Sequence, residues 1–210
     1  MKGIDKMSKF TQIPQDTFST LQTDVGVVLK NFNPENGTFE DTDIVTATTG
    51  GITASCVPTY SDMGEDIDNC PNGMLELQNL DSWECRFGFT ALSAKEETIR
   101  LSLGAADITS GKITPRSSLK ITDFNDLWWV GDRKDGGMLA VCLKNALSTG
   151  GFSLTTTKNG KGQMAFDLKG HYSIDSQDTV PMDFYVSEGT NSASTQGMDD
   201  GDEIPVENEE

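Results

Sequence analysis

Histidine occurs once in this chain of 210 residues, and no apolar run approaches the ~18 residues that carry a helix across a bilayer. Each scarcity closes a class of function. A lone His171 cannot supply a histidine-rich metal set, and the strained G-x-S-x-G turn that would present a serine to it is absent. The four cysteines, Cys56, Cys70, Cys85 and Cys142, are spaced 14, 15 and 57 positions apart without a CxxC pair. Zinc sites draw on closely paired ligands, so these read as reduced, mostly buried thiols, and no metal or other cofactor is expected. The glycine pairs at Gly50, Gly136 and Gly150 fit neither G-x-x-x-x-G-K-[ST] nor G-x-G-x-x-G and read as turns. A calcium loop fails on spacing as well, because Asp62, Glu65, Asp66 and Asp68 do not follow D-x-[DN]-x-[DN]-G. The opening Met1-Lys2-Gly3-Ile4-Asp5-Lys6-Met7 carries no apolar signal-peptide core, so synthesis in the cytosol is expected.

Basic residues are also in deficit. Sixteen Lys and Arg face 33 Asp and Glu, for a formal charge of -17. Eight of the acids fall in residues 188–210, which hold no Lys or Arg, and the remaining body still sets 25 acids against 16 bases. Phosphate binding needs clustered cations that release counterions, so sequence-reading or DNA-condensing roles are excluded. A surface past which DNA slides without adhering remains compatible with this charge.

What is present is β patterning. Gly26 to Phe32 reads as a first strand, closed by the turn chemistry of Asn33-Pro34 and Asn36-Gly37. Ile52 to Val57 reads as a second, stopped by Pro58. A long connection from Thr59 to Asp81 follows. Its apolar members Tyr60, Met63, Ile67, Met74, Leu75 and Leu77 exceed what a free loop exposes, which points to an interface. Trp83, Cys85, Phe87 and Phe89 alternate with Glu84 and Arg86 and mark a one-sided strand. Ser93-Ala94-Lys95-Glu96 has the form of a capping box opening a short helix, with Ile99 and Leu103 on one face and Gly104 at its end.

Beyond the helix the pattern is β again. Short strands are expected at Ile113–Thr114, Leu119–Thr122 and Leu127–Val130, with Trp128 and Trp129 facing opposite sides. Met138 to Leu143 is apolar on both faces and predicts a fully covered strand. Phe152 to Thr157 and Met164 to Tyr172 flank Lys158-Asn159-Gly160-Lys161-Gly162 as a hairpin. A last strand, Met182 to Val186, is expected to turn Met182, Phe184 and Val186 inward. The fold class is therefore mainly β, an antiparallel β-sandwich or barrel with one short flanking α-helix. Residues 1–22 read as an N-terminal arm, 23–187 as one domain carrying the loop 59–81, and 188–210 as an acidic tail too poor in apolar surface to order.

Four stretches carry a family resemblance. They are Asp126-Leu127-Trp128-Trp129-Val130-Gly131-Asp132, Leu143-Lys144-Asn145-Ala146-Leu147-Ser148-Thr149-Gly150-Gly151-Phe152 with Gly162 to Ser173, and Val180-Pro181-Met182-Asp183-Phe184-Tyr185-Val186. Over about residues 26–186 the chain resembles the major tail tube protein of long-tailed bacteriophages, of the kind found in phages and prophages of Gram-positive hosts. The resemblance implies a non-enzymatic structural virion protein of the tail, assembled in the bacterial host cytoplasm. Such subunits form hexameric rings that stack into a hollow tube through which DNA is ejected. Implied partners are further copies of itself, a tape-measure protein, tail terminator and tip proteins, and DNA passing the lumen without specific binding; membrane insertion is not expected. On this view Tyr60, Met63, Ile67, Met74, Leu75 and Leu77 are inter-subunit or inter-ring contacts. The polar hairpin face Ser153, Thr155, Asp167, Lys169 and His171 becomes a lumen or subunit-contact surface. The alternative reading is a monomeric β-sandwich binding module on a virion or cell surface.

Overall fold

The computed structural model describes residues 13–14 and 16–189. The expected arm before residue 13 and the acidic tail after residue 189 lie outside the described residues. In chain order the elements are β1 (Val27–Leu29), β2 (Thr48–Asp62), β3 (Gln78–Ala91), α1 (Glu96–Leu103), β4 (Ala106–Thr109), β5 (Lys112–Pro115), β6 (Asn125–Asp132), β7 (Met138–Ser148), β8 (Leu154–Thr155), β9 (Gln163–Lys169) and β10 (Met182–Ser187). Every strand pairing is antiparallel, so the mainly β class with one α-helix holds. No helix among the described residues is long and apolar enough to cross a membrane.

Eight strands form one hydrogen-bonded sheet, and β7 divides it in two. From Met138 to Leu143, β7 lies between β6 and β10, with β1 beyond β6. At Leu147 and Ser148 it pairs instead with Lys169 and Leu168 of β9, which continues through β3 to β2. Between the two pairings Asn145 takes a positive φ of 48°, and the facing strand breaks register between Asn125 and Leu127. A bend of this kind lets one strand serve two packed sheets.

The core sits between the two halves. Val28, Leu127, Val141, Leu143 and Met182 from the first meet Cys85, Phe87, Phe89, Met164, Phe166 and Leu168 from the second, and Leu101 of α1 caps one end. Phe89 and Phe166 stack with centroids 4.7 Å apart. A second cluster, Leu29, Val130 and Ala140, lies on the opposite face of the first half beneath Phe32 and Ile44. This explains why Ala140–Leu143 is buried without alternation and why the two adjacent tryptophans work on opposite sides. Trp128 packs edge-on against Phe32 in the smaller cluster, while Trp129 joins the main core and donates its indole N–H to the Val25 carbonyl.

Several expectations are corrected. The second strand does not stop at Pro58: β2 runs on to Asp62 and pairs with β3 throughout, Pro58 lying opposite Trp83. β2 is an edge strand, where a missing N–H is tolerated. The connection 59–81 accordingly shrinks to a hairpin tip at 63–77, and Tyr60 belongs to the strand. Near the start of β2, Gly50 and Gly51 with φ of 76° and 88° absorb a register shift between Thr49 and Ile52, a backbone that L side chains rarely adopt. The capping box does not form. Ser93's main-chain N–H is taken by the Thr46 hydroxyl, and the helix starts later with Lys95 as N-cap. Its fully buried residues are Thr98, Leu101 and Ser102, and Ile99 packs half-buried against the main core. Gly104 does end the helix at positive φ, donating to Arg100 and Leu101. The strand expected at 119–122 is replaced by a 3-10 turn, Ile121–Asp123, with Ile121 left 91% exposed. The strand expected over 152–157 reduces to the two residues of β8.

Candidate assembly surface

The tip of the β2–β3 hairpin is organised by one carboxylate. Asp62 accepts the main-chain N–H of Gly64 at 2.8 Å and of Gly73 at 2.7 Å, tying both sides of the turn to one residue. The Gly73 bond, and then the Gly64 bond, hold its carboxyl below the usual aspartate range. Closing the base of the tip, Met63 donates its N–H to the Leu77 carbonyl. Met63, Ile67, Met74 and Leu75 project from this frame into solvent, Leu75 being 83% exposed, and Leu77 is half-buried. Tyr60 is exposed on β2, apart from the tip. Five of the six expected contact residues thus share the tip.

The expected polar face is split by the structure. Asp167 and Lys169 lie on the outer face of β9 and join residues of β3: Arg86 Nη1 is 2.8 Å from Asp167, Arg86 Nε is 2.5 Å from Glu84, and Lys169 is 3.7 Å from Glu84. Thr149 adds a hydroxyl bond to Asp167. This row of alternating charge is anchored by Arg86, which sequence reading placed on a polar face without a partner. Ser153, just before β8, and Thr155, within it, are exposed and take no part in that row. His171 is removed from the set altogether. β9 ends at Lys169, and Gly170 makes a close approach in which an added Cβ would stand 2.8 Å from Leu143 and 3.0 Å from the Pro181 carbonyl. Past that point His171 Nδ1 sits 3.2 Å from the Asn145 carbonyl, and its ring meets Phe124 edge-on at 5.3 Å. It packs against the β7 bend as a structural residue.

The remaining feature went unseen in the sequence. β10 pairs with β7 on one side only, and β2 closes the far end of the sheet, so both are open edges. Phe184 and Val186 alternate with Tyr185 and share the face of Met182, yet only Met182 is buried; the other two are 59% and 65% exposed. The row expected to turn inward therefore enters the core at one residue and runs on uncovered. Periodicity identifies the face of a strand, but it carries no information on whether another sheet extends far enough to cover it.

The described residues also frame concavities. One of about 520 Å³ beside α1 is lined by Lys30, Arg100, Phe124, Asp126 and Asn145. Its charges are partly spent internally, since Arg100 pairs with Glu97 at 3.2 Å and Asp126 accepts the Asn145 N–H. Another, of about 460 Å³, lies between Trp83 and Tyr172, whose hydroxyl accepts the Trp83 main-chain N–H at 3.1 Å. Among the described residues no three or more His, Cys, Asp or Glu side chains gather as a metal site. The sequence matches no protein-family model and no curated protein.

Proposed function

We propose that this chain is a structural, non-enzymatic subunit of the tail tube of a long-tailed bacteriophage, joining further copies of itself into hexameric rings that stack around a DNA channel. The observation that carries the reading is the pairing of two open sheet edges with uncovered apolar side chains, Phe184 and Val186 on β10 and Val57 and Tyr60 on β2. Open apolar edges invite uncontrolled association unless another strand covers them, and closing a ring of identical subunits covers every edge at once. The exposed apolar tip at 63–77 supports a contact beyond the subunit's own sheet, with a neighbour in the same ring or the next. The net charge of -17 supports a wall that DNA passes without adhering. Tape-measure, terminator and tip proteins are the further partners of such a tube, and the virion tail is its location.

Negative-stain microscopy of the purified, concentrated protein, alone and with a tape-measure partner, tests the reading. Rings or hollow tubes are expected; a strictly monomeric particle under all conditions rejects it. The cavity between Trp83 and Tyr172 favours a second reading, a monomeric binding module on a virion or cell surface. In that case Trp83→Ala abolishes ligand binding and deletion of 63–77 changes no assembly state.

A further inference from the structure

Cys56 on β2 and Cys85 on β3 stand directly opposite each other in the antiparallel register. Their sulfurs are 2.9 Å apart, leaving roughly 0.9 Å to close to a disulfide bond of about 2.05 Å. Facing residues on adjacent antiparallel strands hold their Cβ atoms about 4.5–5.5 Å apart, about 1 Å beyond the roughly 3.5–4.5 Å that a disulfide spans, so bridging draws the strands together locally by about that amount. Cys85 is buried in the core, whereas Cys56 is half-buried on the edge strand and is the more accessible of the two. The other two thiols have no such arrangement: Cys142 is buried on β7, and Cys70 at the hairpin tip has Met74 as its sulfur neighbour at 3.5 Å.

We infer that Cys56 and Cys85 form a reversible cross-strand disulfide by exchange with a small-molecule disulfide such as oxidised glutathione. The Cys56 thiolate attacks one glutathione sulfur, breaking that S–S bond and releasing the first glutathione thiolate, which takes up the proton Cys56 gave up. The Cys85 sulfur then attacks Cys56 Sγ in the mixed disulfide. The protein S–S bond forms, the Cys56–glutathione bond breaks, and the Cys85 proton leaves with the second glutathione. Two protein thiols are oxidised and one glutathione disulfide is reduced to two thiols. Burial, and then the hydrogen bond with Cys56, push the Cys85 thiol up to about 12, so the second step is the slower one. The product staples the two longest strands below their exposed tip, holding that arm in register when the protein meets an oxidising medium. The exchange takes place in the unassembled chain, before any neighbour covers the β2 edge, and rests on β2–β3 geometry alone.

The test uses the full native chain in buffers of graded oxidised-to-reduced glutathione ratio. Denatured thiol counts should fall from four to two, and non-reducing peptide mapping should recover one crosslink, Cys56 to Cys85. The unfolding midpoint should rise by roughly 5–10 °C and return on reduction. Cys56→Ser should abolish crosslink and shift together, while Cys70→Ser should leave both intact. Four surviving thiols, a glutathione adduct that stays on Cys56, or a crosslink through Cys70 or Cys142 would overturn the inference.

Discussion

The main-chain N–H of Asn145 donates to the Asp126 carboxylate at 2.8 Å, at the point where β7 leaves one half of the sheet and enters the other. Around the same residue the Asn145 amide donates to the His171 carbonyl at 3.0 Å, and the Asn145 carbonyl meets the His171 ring. Three segments distant in sequence are therefore fastened to a backbone held at φ 48°. Asparagine tolerates that conformation far better than a branched residue does. Asn145→Gly should retain the bend and lose about 1 kcal/mol with the side-chain bond. Asn145→Val should cost about 3 kcal/mol by adding backbone strain to that loss. Denaturant unfolding of the two variants checks the order; equal losses would show that the conformation itself contributes nothing.

Arg86 reaches diagonally from β3 to Asp167 on β9 and along its own strand to Glu84. All three side chains are partly solvated, so the network is worth far less than a buried ion pair. Asp167→Asn should cost about 1 kcal/mol, and high salt should shrink the difference. A loss unaffected by salt would show that Asp167 acts through its bonds to Thr149 rather than through charge.

Asp62 gives the hairpin tip a pH dependence of known sign. Its carboxyl is depressed in the folded chain by bonds from Gly73 and Gly64, so its contribution is complete above the ordinary aspartate pKa. It is lost as pH falls through the lowered folded value. Hydrogen exchange at residues 63–77 should accelerate below about pH 4 while the core strands keep their protection. Asp62→Asn should exchange rapidly at the tip at every pH, and a tip that stays protected in that variant would assign its order to packing instead.

Where burial dictates a strand, the amino-acid pattern made it legible. Cys85, Phe87 and Phe89 alternate because one face of β3 meets the core, and Ala140 to Leu143 does not alternate because both faces are covered. The outer half of β2–β3 escaped because pairing between strands, not burial, holds it. Thr59 to Asp62 has no apolar face to detect, and Pro58 mimics a stop. Leu119 and Ile121 misled in the opposite sense, as exposed apolar residues beside a turn that ends at the buried Asp123, which pairs with Arg116. The candidate surface was legible in part: five of the six proposed contact residues meet at the tip, but the partners of Arg86 and the detour of His171 depend on long-range register that local patterns do not encode.

Phe184 and Val186 provide the means to separate folding from association. Both are exposed, and neither contributes to the main core in the way their neighbour Met182 does. Val186→Lys should change the stability of an isolated subunit by no more than about 0.5 kcal/mol, since exposed substitutions away from caps and strain are nearly neutral. If copies associate through the β10 edge as proposed, the same lysine places a charge in that contact, a device that blocks edge-to-edge association. Val186→Lys, alone or with Phe184→Lys, should therefore yield a folded chain that sediments as a monomer and forms no rings in the microscope. A control lysine at Thr155, exposed on β8, reports whether added charge alone is sufficient. Rings that persist in the double variant would place the subunit contact elsewhere than the β10 edge, and the hairpin tip at 63–77 would then be the surface to alter.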